Sequence, residues 1–324
     1  MEVITLKDGE VITRPGVYDM SLEWYHDNCC AGPSISSSGL RAIDEKTPRH
    51  FWASSVLNPD RREKASTKSL EIGGAIHARI FGDQYFARRY VLSPFDNFRT
   101  KDAQNWRDAQ SRIILKQEDL DMIEEMYEAL INDPDIPIEA IAQGEVEKSM
   151  IWRDPWATRI AYGSPDDPDG IESPGIWLKS RIDVVPLDDM IVDYKTTTDA
   201  SRFGIEKSIT DYGYHQQLAI ARDGVQILYG RDVQHFGIIA QEKAPPYVPS
   251  ISAVDEETIV FGALQNRRAL KRFAECIRNG IWPGYDNQPF SVGLRKWRRD
   301  ELEFDQKLSR DDPRHLPSLE DLVQ

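Results

Sequence analysis

The stretch "IVDYKTTTDA", residues 191–200, sets an acid and a lysine two positions apart behind an apolar run. Side chains alternate across a strand, so Asp193 and Lys195 share a face. An isolated carboxylate or ammonium in a dry core is costly. Either the two charges pair with each other, as an ordinary strand-end ion pair, or they are gathered around something that is held. Just upstream, "LKSRIDVV" (178–185) places Lys179, Arg181 and Asp183 on one face and Leu178, Ile182 and Val184 on the other. The connection "PLDDM" is short enough for a hairpin. Pairing of the two strands would bring Asp183, Asp193 and Lys195 into one cluster.

Two carboxylates side by side repel unless a cation lies between them or one stays protonated. Hard oxygen donors of this kind suit Mg²⁺, with Mn²⁺ as a substitute. Such an ion lowers the pKa of bound water and neutralises charge on a phosphate undergoing in-line displacement. A lysine beside it orients the attacking water or stabilises the transition state. D-x-K alone is a common triplet; the spacing D-x₉-D-x-K across a hairpin carries more information.

The remaining sequence bounds this reading. The chain has 324 residues, 40% hydrophobic and 29% charged, which fits a soluble globular protein with a proper core. Its net charge of −14 argues against a generally basic, nucleic-acid-coating surface but leaves room for a local basic groove. Apolar runs are too short for a membrane span, and the N-terminus shows no basic-then-apolar leader, so no membrane association and a cytoplasmic location are expected. The three cysteines, Cys29, Cys30 and Cys276, are too few for a four-cysteine metal or iron–sulfur site and read as reduced thiols, the adjacent two partly exposed.

Residues 1–66 are turn-rich, with a short serine-capped helix over 36–43, and are expected to pack on the core. "TKSLEIGGAIHARIFG" (67–82) has Leu70, Ala75, Ile76, Ile80 and Phe81 near a 3.6-residue period, and Gly73 and Gly74 allow close approach of another backbone. A charged helical insertion is expected near 101–131. Strands are expected over 144–152, 176–185, 190–197, 235–242 and 247–252, with a helix over 209–224 closed by Gly224 and a long one over 255–279. "GSPDDPDG" (163–170) reads as a loop, and 291–324 as a charged tail. Strands flanked by helices give an α/β fold with one main mixed sheet, its core spanning 67–290.

Taken in order, "RPGVYDMSLEWYH", "SISSSGLRAI", "TPRHFWASS", "LEIGGAIHARIFG", "VEKSMIW", "KSRIDVV", "IVDYKTT", "YGYHQQLAIARDG" and "IWPGY" make residues 14–290 resemble the RecE-type exodeoxyribonucleases. These belong to the RecB-like branch of the PD-(D/E)XK nuclease superfamily. The nuclease triplet has low specificity; the ordered set has high specificity. The resemblance implies a PD-(D/E)XK nuclease-like core, with Asp183 and Asp193 as metal ligands and Lys195 as the catalytic lysine. It implies that His77 completes the metal site, the alternative being a helix histidine satisfied in the core. Glu147 matches an acid near the site, with a solvated strand glutamate as the alternative. Tyr214 and Gln217, three apart on one helix face, resemble a Q-x-x-x-Y region that contacts nucleic acid, with Gln216 the reader if the register differs by one. Here the family aromatic is replaced by Ala221, and Tyr214 is the aromatic available to stand in. His215 reads as packing. Arg181 faces the cluster, either to grip a phosphate or to bridge Asp183 or Glu147.

The implied activity is Mg²⁺-dependent, 5′→3′ exonucleolytic digestion of duplex DNA with free ends. It would supply single-stranded DNA to an annealing or recombinase partner in phage-type recombination, with a ring-like homo-oligomer as the assembly. Two other readings stand beside it. One is a DNA-binding or scaffolding protein of the same fold that has lost catalysis, against which the intact Asp183, Asp193 and Lys195 argue. The other is a RecB-like nuclease of CRISPR adaptation or repair, whose frequent iron–sulfur cluster three cysteines cannot complete.

Overall fold

The computed structural model describes residues 2–61, 67–138, 144–163, 174–186, 189–286 and 288–301. Most of the 163–170 loop and the tail beyond 301 lie outside the described residues. Residues 1–284 form one compact unit, and residues 285–324 a second, whose described part contains a helix over 296–301.

In chain order the strands are β1 (Val3–Thr5), β2 (Gly16–Asp19), β3 (Ser34–Ser36), β4 (Tyr90–Leu92), β5 (Ile113–Leu115) and β6 (Gly144–Val146). They continue with β7 (Ser149–Arg153), β8 (Trp177–Arg181), β9 (Val184–Pro186), β10 (Met190–Thr197), β11 (His235–Glu242) and β12 (Pro249–Ala253). The helices that position the site are α1 (Leu22–His26), α2 (Ser37–Arg41), α3 (Pro48–Trp52), α4 (Lys68–Ile80), α5 (Asp83–Arg89) and α6 (Lys101–Asp108). They are followed by α7 (Gln117–Ile131), α8 (Pro155–Tyr162), α9 (Arg202–Tyr212), α10 (Tyr214–Tyr229) and α11 (Glu256–Asn279).

The architecture is α/β, with mixed sheets flanked by helices. The single main sheet expected from the strand pattern resolves into two: a five-stranded sheet in the order β1-β2-β7-β8-β3 and a three-stranded sheet in the order β10-β11-β12. The turn-rich N-terminal residues supply three of the five strands in the first sheet. One hydrophobic core packs α10 and α11 against that sheet through Trp152, Leu178, Leu218 and Phe273. Another joins α4 and α7 to β4, β5, β10 and β11 through Ile76, Ile123, Tyr194 and Ile239.

The expected hairpin between 176–185 and 190–197 does not form. β10 pairs in parallel with β11 along its whole length, from Met190 opposite His235 to Thr197 opposite Glu242. Among the described residues the other edge of β10 is left without a ladder, because β8 is bonded on both edges, to β7 and β3, and β9 pairs with β6. β8 and β9 instead run antiparallel to β7 and β6, with Arg181 opposite Ser149 and Val184 opposite Val146. The register carries through both pairs, so they are one ribbon interrupted near Glu147 and Asp183, where Glu147 N–H donates to the Asp183 carbonyl at 2.9 Å. Glu147 has φ +52°, a left-handed conformation that costs a non-glycine residue about 1–2 kcal/mol.

Helix boundaries follow local chemistry. Thr67 caps α4, as its composition suggests, but Leu70 of the apolar pattern is 69% exposed. Gly73 and Gly74 admit side chains rather than backbone: a Cβ on them would meet Thr196 Oγ1 and Tyr90 Oη. The insertion near 101–131 is not wholly helical, because the β-branched pair Ile113 and Ile114 forms β5 beside β4. Gly213, at φ +65°, separates α9 from α10, and Gly230, at φ +64°, closes α10. Gly224, expected to end this helix, lies inside it against Trp152. All three cysteines are free and buried, including the adjacent pair expected to be partly exposed. Among the described residues no helix is long and apolar enough to cross a membrane.

The α10–α11 contact depends on Gly262, where an added Cβ would stand 2.5 Å from the His215 carbonyl oxygen. Gly262→Ala is expected to lower stability by about 1–3 kcal/mol, the range for overpacking a close contact. A urea midpoint equal to that of the unaltered protein would refute the close approach.

Candidate active site

The site begins at the interrupted ribbon. Glu147 and Asp183 face each other across it, an arrangement that is destabilising for like charges. A single imidazole from α4 resolves it: His77 Nε2 lies 2.7 Å from Asp183 Oδ1 and Nδ1 lies 3.6 Å from Glu147 Oε1. Asp183 Oδ2 accepts the Tyr194 N–H at 2.8 Å, which pins the ribbon to β10 between Asp193 and Lys195. The cluster expected from a hairpin is therefore assembled by a side-chain-to-backbone bond instead of a ladder.

On β10, Asp193 is 2% exposed. Its carboxylate pairs with Lys195 and accepts from Gln217 Nε2 at 3.0 Å. The Lys195 ammonium lies 5.2 Å from the centre of the Tyr214 ring. Gln217 and Tyr214 thus occupy the site together, as three-residue spacing on a helix allows. Arg181 resolves in favour of bridging: Nη2 lies 3.3 Å from Glu147 Oε2, and Nη1 donates to the Met20 carbonyl and Ser149 Oγ, each at 3.1 Å.

Gln216 does not reach the site. It is fully buried, its Nε2 donating to Asn266 Oδ1 at 3.4 Å while Asn266 Nδ2 donates to its carbonyl at 2.8 Å. Starting the helix at Gly213 turns Gln216 toward α11 and Gln217 toward β10. His215 packs as expected, with Nε2 2.6 Å from Gln265 Oε1. Lys179 shares the strand face of Arg181 but is spent on the Tyr25 and Asp27 carbonyls, at 2.7 and 3.2 Å.

Comparisons with known proteins bear on the fold. Residues 170–288 match the model of a family described as a PDDEXK-like domain of unknown function (DUF3799). The chain is also similar to a crystal structure of a "Putative exonuclease" from Eubacterium rectale, at 13% identity and a TM-score of 0.50, over 82% of this chain and 92% of that one. No curated protein matches it. The fold is PD-(D/E)XK-like.

Within this PD-(D/E)XK-like core, Asp183, Asp193, Lys195 and Gln217 lie in the matched segment, whereas His77 and Glu147 lie upstream of it. Burial and packing separate the protonation behaviour of the site's acids. Burial works against ionised Asp183, but His77, Lys195 and the Tyr194 N–H outweigh it and hold the carboxyl below its usual range. Burial also opposes the ionised Glu147, and His77 with Arg181 overcomes it in the same way. Asp193 goes the other way: burial, with the Asp183 charge adding to it, pushes it up to about 6 despite Lys195. Burial disfavours charge on Lys195, yet Asp193 and Asp183 raise its pKa. Burial likewise disfavours a charged His77, but Asp183 and Glu147 carry it up to about 9.

The carboxylates of Glu147, Asp183 and Asp193 and the His77 imidazole, clustered around β10 and the ribbon, are an oxygen-rich donor set of the chemistry that suits a hard divalent cation. Among the described residues no three His, Cys, Asp or Glu side chains already stand in a metal-holding array. The reason is visible in their partners: Asp183 is turned to His77 and Tyr194, and Asp193 to Lys195 and Gln217. These internal partners keep the acids charged and together.

Reading the sequence alone missed the cations beside the site. A groove of about 740 Å³ runs from Lys195, Tyr214 and Gln217 past Arg41, Lys207 and Lys243. They come from separate segments, so no local motif could have collected them.

The His77 shift sets a pH dependence. A pKa raised from 6.5 to about 9 stabilises the metal-free fold fully below about pH 6.5, and the gain is lost as pH rises through 9. The unfolding free energy from urea titrations in chelator should therefore fall between about pH 6 and pH 10, by on the order of 2 kcal/mol. His77→Gln should flatten that fall; an unaltered slope in the variant would remove His77 from the ion pair.

Proposed function

We propose that this protein is a divalent-metal-dependent deoxyribonuclease that digests one strand of duplex DNA from a free end. The observation that carries the reading is the clustering of Asp183, Asp193, Lys195 and Gln217, of which Lys195 and Gln217 open into a groove that also holds Arg41, Lys207 and Lys243. The end-directed, 5′→3′ mode and the delivery of single-stranded DNA to an annealing or recombinase partner follow from the resemblance to RecE-type enzymes. The neighbour described as an exonuclease agrees with an end-directed mode.

Asp183 and Asp193 would hold the metal, with His77 or Glu147 completing its shell. Mg²⁺ is the expected ion and Mn²⁺ the expected substitute. When bound, the ion supplies charge neutralisation at the scissile phosphate and acidifies water. The chain's own groups do the rest. Lys195, kept charged by the two aspartates, donates toward the attacking water or the charge that develops on phosphorus oxygens. Gln217 fixes the Asp193 carboxylate, and the Tyr214 ring limits where the ammonium can swing. Arg181 braces Glu147 and so positions the acid that steadies His77. Arg41, Lys207 and Lys243, with Lys195, outnumber Asp199 and Asp211 in the groove, and although Lys207 pairs with Asp211 at 3.0 Å the excess is the sign of charge that attracts a sugar–phosphate strand.

Incubation with linear duplex DNA labelled on either strand, with Mg²⁺, Mn²⁺ or chelator, tests this. Label should be released stepwise from one strand end, only with metal. Asp193→Ala and Lys195→Ala should each slow cleavage by about 10²–10³-fold or more while leaving the unfolding transition intact. Inert wild-type protein across several divalent metals, or a Lys195→Ala rate near wild type, would overturn the assignment.

A further inference from the structure

The segment between Gln84 and Lys116 carries seven basic and three acidic residues, in a chain whose net charge is −14. It runs along α5 and β4, turns through residues 93–100, comes back along α6, and then enters β5 parallel to β4. Its base abuts the site. The buried Tyr90 hydroxyl lies where a Cβ on Gly74 would be, one turn before His77 on α4. Arg89, next to Tyr90, also helps to lower the Glu147 carboxyl. Parallel pairing of Tyr90 with Ile113 brings Arg112 beside the end of α5, where its Nη1 donates to the Ala87 carbonyl at 3.1 Å. The tip carries Arg99 and Lys101.

Two features separate this surface from an ordinary solvated one. Arg107 reaches Asp108 at 2.8 Å and Lys116 reaches Glu118 at 3.8 Å, but among the described residues Arg88, Arg99, Lys101 and Arg112 have no acidic side chain within 4.0 Å. With seven basic residues against Asp96, Asp102 and Asp108, and four of the cations outside any ion pair among the described residues, the segment carries a net positive charge that attracts an anion. The second feature is rigidity. Trp106 packs parallel to Phe98, 9° between rings at 6.5 Å, and edge-on to Phe95 at 6.0 Å, while the Arg107 guanidinium lies over Phe98 at 5.7 Å. Thr100 caps α6, and Gln104 Nε2 donates to the Phe98 carbonyl at 3.1 Å. The turn is thus held in shape, and its aromatic faces are already occupied by one another.

We propose that this arm is a second DNA contact, in which Arg88, Arg99, Lys101 and Arg112 grip the phosphate backbone of the duplex outside the catalytic pocket. Because its rings are spent on each other, the arm offers charge and no free stacking platform. That favours the backbone of a duplex over splayed bases of a single strand. The inference takes DNA as its ligand from the nuclease reading above.

The test compares wild-type protein with R99E/K101E/R112E for binding to a fluorescent duplex in chelator, across a salt series. The charge-reversed protein should bind at least about tenfold more weakly near physiological salt. Its slope of log affinity against log salt should be shallower by about 2, as expected for two or three lost phosphate contacts. R99K/R112K should keep the wild-type slope. Hydrolysis of a small thymidine nitrophenyl phosphodiester, which reaches only the catalytic pocket, should be equal in all three proteins. An unchanged duplex slope in the reversed variant overturns the arm while leaving the nuclease reading intact. So does an equal loss in R99K/R112K, or a loss confined to single-stranded DNA. Wild-type protein that hydrolyses neither duplex nor diester overturns the nuclease reading, and the duplex slope then decides the arm by itself.

Discussion

The structure is organised around a repulsion. Glu147 and Asp183 are set opposite each other, and two unscreened carboxylates about 5 Å apart repel by about 3 kcal/mol at an effective dielectric near 20. That is a sizeable part of the stability of an ordinary domain. His77 sits between them and turns the repulsion into two attractions. Its helix must come close to do so, which is why α4 carries glycine at the two positions facing Thr196 and Tyr90. The ribbon breaks at the same place, and the left-handed backbone of Glu147 re-aims its carboxylate toward the imidazole. A local strain and two helix glycines are thereby explained by one electrostatic need.

The same need accounts for the unequal behaviour of the two aspartates. Asp183 has an imidazole, an amide and a nearby ammonium, and stays ionised well into acid. Asp193 is more deeply enclosed, feels Asp183 as a like charge, and titrates near 6. Near neutral pH the six charged groups balance: Glu147, Asp183 and Asp193 against His77, Lys195 and Arg181. A dication entering this network would upset that balance, and the most readily released positive charge is the His77 proton. Protons and a divalent ion therefore compete for the same carboxylates, through a residue on a different helix.

Much of this was legible in the chain, for identifiable reasons. Alternation in "IVDYK" put Asp193 and Lys195 on one face, where they pair, whereas past the break at Asp183 it is Val185, not the expected Val184, that joins Leu178 and Ile182 in the core. Alternation carries no information about partners, however, so the short "PLDDM" link pointed to a hairpin, whereas β8 is bonded on both edges by β3 and β7 and β9 pairs with β6. Strands β1 and β3 are three residues each, too short to show a period. The choice between Gln216 and Gln217 depended on where α10 starts, and Gly213 decides that by adopting a left-handed turn, a property its flanking sequence does not announce. Glu147 was recognisable only through resemblance, because a left-handed glutamate has no sequence signature.

The position of Ala221 shows how the pocket compensates for a departure from the resembling pattern. Ala221 is fully buried in the core that holds α10 against the first sheet, so a large ring there would have to displace packed neighbours. Tyr214, three residues before Gln217 instead of four after, puts its ring beside Lys195 from the other end of the same helix turn. Burial raises the Tyr214 hydroxyl, so it stays a neutral phenol able to donate a hydrogen bond, and the ring face remains a partner for the ammonium. An aromatic at this end restrains the lysine, where one at position 221 would lie farther along the helix. In this chain the aromatic ring therefore flanks the lysine, while Gln217 of the same helix holds the Asp193 carboxylate.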